Sequence, residues 1–154
     1  ILPNAEILPT SALEHFNVDI LTRRIVELLP EHAPYFGKDA LTDKPARFFV
    51  TEIIREKILL NYEKEVPYST EVIVEKFDEK EGAIHIMAVI YVERESQKGI
   101  IIGRQGSRLK KVGTEARHDI ETFFGKKVYL ELFVKVEPNW RNRENKLRAF
   151  GYIE

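Results

Sequence analysis

The chain contains no cysteine. Disulfides and thiolate zinc sites are thereby excluded, and a cytosolic compartment is the natural expectation. No apolar run is long enough to cross a bilayer, and no secretory signal is visible. No G-x-x-x-x-G-K-[ST] phosphate loop is present, and no Asn-Lys-x-Asp; Asn17-Val18-Asp19 has the wrong spacing and falls at a helix start. His15, His32, His85 and His118 are scattered, without metal-ligand spacing. Net charge is lacking too, at -1 over 154 residues, so a case for a charged partner must be local.

The local case is strong. Between Arg94 and Arg117 seven cations meet two acids, a net +5, whereas six cations meet nine acids between Arg47 and Glu81. The basic stretch centres on Gln97–Lys111, in which three isoleucines run into Gly103-Arg104-Gln105-Gly106. Two close glycines permit a tight turn and the approach of a phosphate. Ser107 is placed to cap a following helix, whose N–H groups and dipole would face the loop. Lys98, Arg104, Arg108 and Lys111 add full charge. Helix, bare loop and second helix together suit a sugar–phosphate backbone.

In chain order, Ala5–Leu8 reads as a short buried strand. Phe16 and Leu21 bracket Asn17 as a staple around an N-cap, and a helix from Val18 stops at Pro30. Residues 31–41, with Pro34 and Gly37, read as a linker. Thr42 or Asp43 caps the next helix, with Pro45 in its first turn and Val50, Ile53, Ile54 and Ile58 buried. Glu52, Arg55, Glu56 and Lys57 read as its solvated face. Tyr68–Phe77 reads as a strand and Glu79–Gly82 as a turn. A second strand alternates Ile84, Ile86, Ala88, Ile90 and Val92 with His85, Met87, Val89 and Tyr91. A helix from Ser107 to Phe124 ends at Gly125, and its Gly113 implies close packing against a neighbouring helix. Val128, Leu130, Leu132, Val134 and Val136 alternate as a third strand facing the interior. Residues 138–154 form a short basic tail, partly helical.

Ile-Ile-Gly-Arg-Gln-Gly resembles the signature of the KH RNA-binding domain, in which a helix–GXXG–helix unit clamps a few single-stranded nucleotides. Further segments narrow the likeness: Thr42-Asp43-Lys44-Pro45, Glu52–Lys57, Glu65-Val66-Pro67-Tyr68-Ser69, Val92-Glu93-Arg94, Ser96-Gln97-Lys98, Val134-Lys135-Val136, Trp140-Arg141 and Gly151-Tyr152. In this order they resemble the C-terminal region of the Era family of bacterial GTPases. The resemblance implies an α+β fold, a type II KH domain at 42–137 (α-β-β-α-GXXG-α-β, a three-stranded sheet with helices on one face). It also implies a βα remnant of a G domain at 1–30, with Ser11, Ala12 and Leu13 at the guanine-contacting loop. GTP and magnesium belong to the full-length family, and none is expected on this chain, which should be inactive alone.

The resemblance further implies binding of the single-stranded 3′ end of small-subunit ribosomal RNA during subunit assembly. The small ribosomal subunit is thus a partner, the inner membrane face a peripheral location, and no DNA is expected. Phosphates would sit on Gly103, Arg104, Gln105, Gly106, Ser107 and Arg108. Bases would enter a groove between the isoleucine helix and the second strand, walled by Ile100, Ile101, Ile102, Met87 and Val89. Two other classes compete. A nucleotide-binding enzyme would need G-x-G-x-x-G after a strand, whereas Gly99, Gly103 and Gly106 give G-x-x-x-G-x-x-G after a helix. A protein-interaction module could use the same fold, but the +5 stretch is what counterion release requires.

Overall fold

The computed structural model describes residues 5–32 and 45–153. Contacts divide the chain into two units, Ile1–Asp43 and Lys44–Glu154. In the first, the strand expected at Ala5–Leu8 is irregular and exposed chain, with Ile7 88 % exposed. Among the described residues no neighbouring strand satisfies its backbone groups, and a lone strand has no stability. Helix α1 (Val18–Leu28) ends at Leu29, just before Pro30. Asn17 stands at its N-cap in the left-handed region, but its side-chain amide donates to the Pro9 carbonyl and leaves the helix uncapped. Ile20, Leu21, Ile25 and Leu28 form an exposed apolar stripe.

The second unit begins with α2 (Ala46–Asn61). Pro45 is its N-cap, one residue outside the first turn. Thr42, Asp43 and nearly all of the expected linker lie outside the described residues. Val50, Ile54 and Ile58 recur every fourth residue and are fully buried. A 3₁₀ turn at Pro67–Ser69 delays the first strand, because the Ser69 and Thr70 hydroxyls bond back to the Glu65 and Pro67 carbonyls. Strand β1 is therefore Glu71–Lys80, and it turns at Gly82 (φ 82°) into β2 (Ala83–Val92). Helices α3 (Glu95–Ile102) and α4 (Ser107–Phe124) follow, then β3 (Lys127–Val136).

The sheet order is β1-β2-β3, with β1 antiparallel and β3 parallel to β2. Strand β2 is therefore central and β3 lies at an edge. Ile84, Ile86, Ala88, Ile90 and Val92 of β2 meet Ile101 of α3, Val112, Ala116 and Ile120 of α4 and the α2 stripe in one core. All three helices thus cover one sheet face. Met87 and Val89 alternate onto the other face.

The tail folds onto this unit. Trp140, 3 % exposed, packs edge-on against Phe150, which in turn packs against Tyr91 of β2. Between them lies α5 (Glu144–Ala149). The Tyr152 hydroxyl bonds to Glu71 of β1, whose other oxygen accepts from Arg55 of α2 at 2.9 Å. Lys57 pairs with Glu56 and with Asp119 of α4. Arg55 and Lys57 thus join α2 to β1 and α4, while Glu52 and Glu56 of the same expected face stay exposed to solvent.

Candidate nucleic-acid interface

Helix α3 is anchored at its start by Gln97, its third residue. Its side-chain oxygen accepts from the backbone N–H groups of Glu93 and Arg94, both at 3.0 Å, and the residue is buried. This satisfies donors that a helix start leaves free. One turn later Ile101 enters the core, fully buried. Its carbonyl accepts a 2.6 Å hydrogen bond from the Tyr62 hydroxyl, and burial pushes that phenol up to about 12.

Gly103 ends the helix at φ 71° with its N–H on the Gly99 carbonyl. A Cβ there would lie 2.8 Å from Cγ and 2.9 Å from Cβ of Arg108, so the arginine stem fills the space a side chain would need. Gln105 is left-handed at φ 53° and Gly106 at φ 76°, and the Gly106 N–H returns to the Gly103 carbonyl. A Cβ on Gly106 would meet open space. Arg104 and Gln105 stand exposed at the tip. Ser107, expected as the cap, is already helical (φ -60°, ψ -39°); Gly106 holds the cap position and no side chain caps the helix. The first N–H groups of α4 are thus left without side-chain partners beside the loop.

A groove of about 370 Å³ opens from this loop. Gly106 of the loop with Leu109, Lys110, Gly113, Thr114 and Arg117 of α4 form one wall, and Leu130 and Leu132 of β3 form the other. Gly113 makes the close approach possible, but toward the strand: a Cβ there would stand 3.4 Å from the Leu132 side chain. Strand β3 also offers its free edge. Val128 turns its N–H outward to Glu121, and Glu137 turns its own inward to the Val92 carbonyl. The two-residue period then directs the N–H and C=O groups of Leu130 and Leu132 to the open side.

The expected site residues divide accordingly. Gly103, Arg104, Gln105, Gly106, Ser107 and Arg108 come together at the groove's end. Lys98 is half-buried on α3, Ile100 is 41 % exposed, and Lys111 is exposed 3.7 Å from Glu115. Ile101 is core and cannot wall a groove. Met87 and Val89 are on the far side of the central strand; the groove lies between α4 and β3, not between α3 and β2. Leu109, Lys110, Gly113, Thr114, Arg117, Leu130 and Leu132 were not among the expected site residues. The glycine inside α4 was the one signal for them. Arg94, Lys98, Arg104, Arg108 and Lys110 have no acidic partner within 4.0 Å among the described residues.

In the first unit Ser11 pairs with Phe16 across a tight turn, its hydroxyl accepts the Glu14 N–H at 3.2 Å, and Leu13 is 87 % exposed. Among the described residues no group of three or more His, Asp or Glu could hold a metal ion. No helix there is long and apolar enough to cross a membrane.

A family model for the KH domain matches residues 65–141. Two solved structures are similar over 97 % of this chain at 43 % identity. One is Era of Aquifex aeolicus bound to GDP and aluminium fluoride, with a TM-score of 0.89. The other is Era in complex with MgGDPNP and nucleotides 1506–1542 of 16S ribosomal RNA, with a TM-score of 0.88. The chain spans 50 % of the length of each.

Proposed function

The chain belongs to the KH-domain family, in the form carried by the C-terminal region of Era, and we propose that it binds single-stranded RNA between the Gly103–Gly106 loop and the α4–β3 groove. The observation that carries this reading is the company the groove keeps. Its walls set Leu109, Leu130 and Leu132 beside Lys110, Thr114 and Arg117, one side is a free strand edge, and Arg104, Arg108 and Lys110 stand at its loop end without acidic partners among the described residues. Phosphates fit the loop and the uncapped start of α4, where N–H groups and cations converge. Bases fit the groove, against Leu109, Leu130 and Leu132, with the β3 edge offering donors and acceptors to base edges.

The solved Era complex with a 16S ribosomal RNA segment supports the 3′-terminal region of small-subunit ribosomal RNA as the target, and the small subunit as the partner. A role in its assembly, and nucleotide contact through Ser11, Ala12 and Leu13, are proposals about the whole protein, of which this chain matches half.

The test replaces Arg104 and Gln105 by Asp and leaves both glycines, so the turn survives. Carboxylates facing phosphates should weaken binding of a short single-stranded RNA by about 2–4 kcal/mol at moderate salt. The salt dependence should become shallower, because fewer counterions are released. Duplex RNA serves as control. Unchanged affinity at physiological salt would show that the loop is not the clamp.

A further inference from the structure

We propose that the cleft between α2, the Pro67–Ser69 turn and the tail binds a peptide segment of a protein partner, one that carries a carboxylate next to a bulky apolar side chain. The cleft shares no residue with the RNA groove. Among the described residues only two buried side-chain nitrogens or oxygens lack a hydrogen-bond partner, Nε of Arg55 and Nε1 of Trp140. Both residues line this one cleft, which holds about 440 Å³. A buried polar group without a partner is costly and rare in a folded chain. Two at one cleft, both of them N–H donors, mark a place where an acceptor belongs. Glu52 lies 3.5 Å from the Arg55 Nε and Glu71 takes its terminal amino group, so the charge of Arg55 is already answered. What Nε lacks is a hydrogen bond.

The rest of the cleft says what carries that acceptor. The Arg141 guanidinium lies over the Trp140 ring, 5.4 Å from its centre, and has no acidic partner within 4.0 Å among the described residues. Leu59 of α2 and Leu147 of α5 supply apolar wall, and the Tyr68 ring stands 73 % exposed beside them. Tryptophan, tyrosine and arginine are the residues on which protein interfaces concentrate their binding energy. Charge narrows the ligand further. Between Arg47 and Glu81 nine acids meet six cations. One free arginine in an acidic region accommodates a single carboxylate and does not hold the continuous charge of a nucleic-acid strand. The leucines and the tyrosine ring call for an apolar group beside that carboxylate, and the volume takes one large side chain with its acidic neighbour. Neither orphan nitrogen is open to solvent. The carboxylate therefore engages Arg141 first and reaches them as side chains at the rim shift.

Trp140 is the chain's only tryptophan, so its indole N–H gives a single signal in a proton–nitrogen correlation spectrum. The probe is the peptide Ser-Asp-Phe-Ser, blocked at both ends, titrated at millimolar concentration into the isotope-labelled chain. The indole signal should move downfield as its proton gains an acceptor. A peptide with asparagine in place of the aspartate should bind about tenfold more weakly, as loss of one charge-assisted hydrogen bond does. Arg141→Ala should weaken the aspartate peptide about tenfold and leave the asparagine peptide unchanged. Leu59→Ser, at a half-exposed position, should weaken both. Far-ultraviolet circular dichroism checks that each variant is folded. An indole signal that does not move, or equal binding of the two peptides, would overturn the proposal. So would N-acetylphenylalanine binding as tightly as the peptide, which would make the cleft a site for a free small carboxylate. A short single-stranded RNA that moves the same signal and loses that effect in Arg141→Ala would assign the cleft to RNA and overturn it as well. The double substitution of Arg104 and Gln105 should lower RNA affinity and leave peptide binding unchanged, so the groove and the cleft fail separately.

Discussion

Tyr62, at the end of α2, donates its hydroxyl to the main-chain carbonyl of Ile101, 2.6 Å away, and both residues are buried. Ile101 lies in the last turn of α3, where carbonyls have no partner inside the helix. Two residues later the chain turns at Gly103. The bond therefore fixes the helix end from which the loop springs.

Tyr62→Phe keeps the ring and strands that carbonyl. It should cost about 1–3 kcal/mol in a denaturant titration. The phenol also carries a pH signature. Burial, partly opposed by Arg108, raises Tyr62 from 10.0 to about 12. Between those values the unfolded chain has released the proton and the folded chain still holds it. Its contribution is full below pH 10 and is lost as pH rises through about 12. The wild type should lose more stability across that window than Tyr62→Phe. Parallel curves for the two would show that the hydroxyl is not buried as described.

The two loop glycines should differ in kind. Both have positive φ: alanine at Gly106 costs about 1–2 kcal/mol of left-handed strain, and Gly103, at ψ -179°, lies in a region adopted almost only by glycine, where alanine costs about 1–3 kcal/mol. Gly103→Ala also drives a Cβ to 2.8 Å from the Arg108 side chain, whereas Gly106→Ala meets open space. Gly103→Ala should be the more destabilising, and Arg108→Ala should relieve part of its cost. Equal unfolding midpoints for the two single variants would remove the contact argument.

How much of this was legible in the sequence depends on what each residue's neighbours had to supply. The α2 stripe, the alternation of β2 and β3, the Gly125 cap and the GXXG loop all follow from local periodicity or local backbone need, and they stand where they were expected. The groove did not, because strand order is not a local property. Met87 and Val89 share a face with each other, and it is the one opposite the face on which Ile84, Ile86, Ala88, Ile90 and Val92 meet α3 and α4. Leu130 and Leu132 alternate as interior residues should, yet at an edge strand the interior is half open, and they are only partly buried. Ser107 looked like a cap by residue type. Gly106 reached the required conformation first, so the serine became the first helical residue. Arg55 and Lys57 looked solvated because their partners, Glu71 and Asp119, are distant in sequence.

Glu71 supplies a further prediction. Its side chain is 4 % exposed and receives Arg55 and Tyr152 from two different elements. Burial lowers the Arg55 pKa, but Glu71 and Glu52 outweigh it and hold it raised. Glu71→Ala leaves a partly buried guanidinium without its main partner and should cost about 3–5 kcal/mol. Tyr152→Phe removes one hydrogen bond to a charged group and should cost less, about 1.5–3 kcal/mol. Chemical denaturation ranks them. A larger loss from Tyr152→Phe would mean that the tail, rather than the α2–β1 pair, is what Glu71 stabilises.

Gly113 sets stability against binding. Glycine in the middle of α4 costs about 1 kcal/mol relative to alanine. The Cβ that alanine adds would sit 3.4 Å from Leu132, an ordinary contact, so no clash cancels the gain. Gly113→Ala should therefore raise the thermal midpoint. The same methyl projects between the two walls of the groove, into the space assigned to bases, and Gly113→Val would fill more of it. RNA affinity should fall from glycine to alanine to valine, even though the alanine variant is the most stable of the three. Affinity that rises or stays level along this series would mean that bases do not enter between α4 and β3. A midpoint that falls for Gly113→Ala would mean instead that α4 and β3 are packed closer than the Gly113–Leu132 distance implies. Measuring both quantities on the same variants separates a groove held open for a ligand from a helix merely weakened by its glycine.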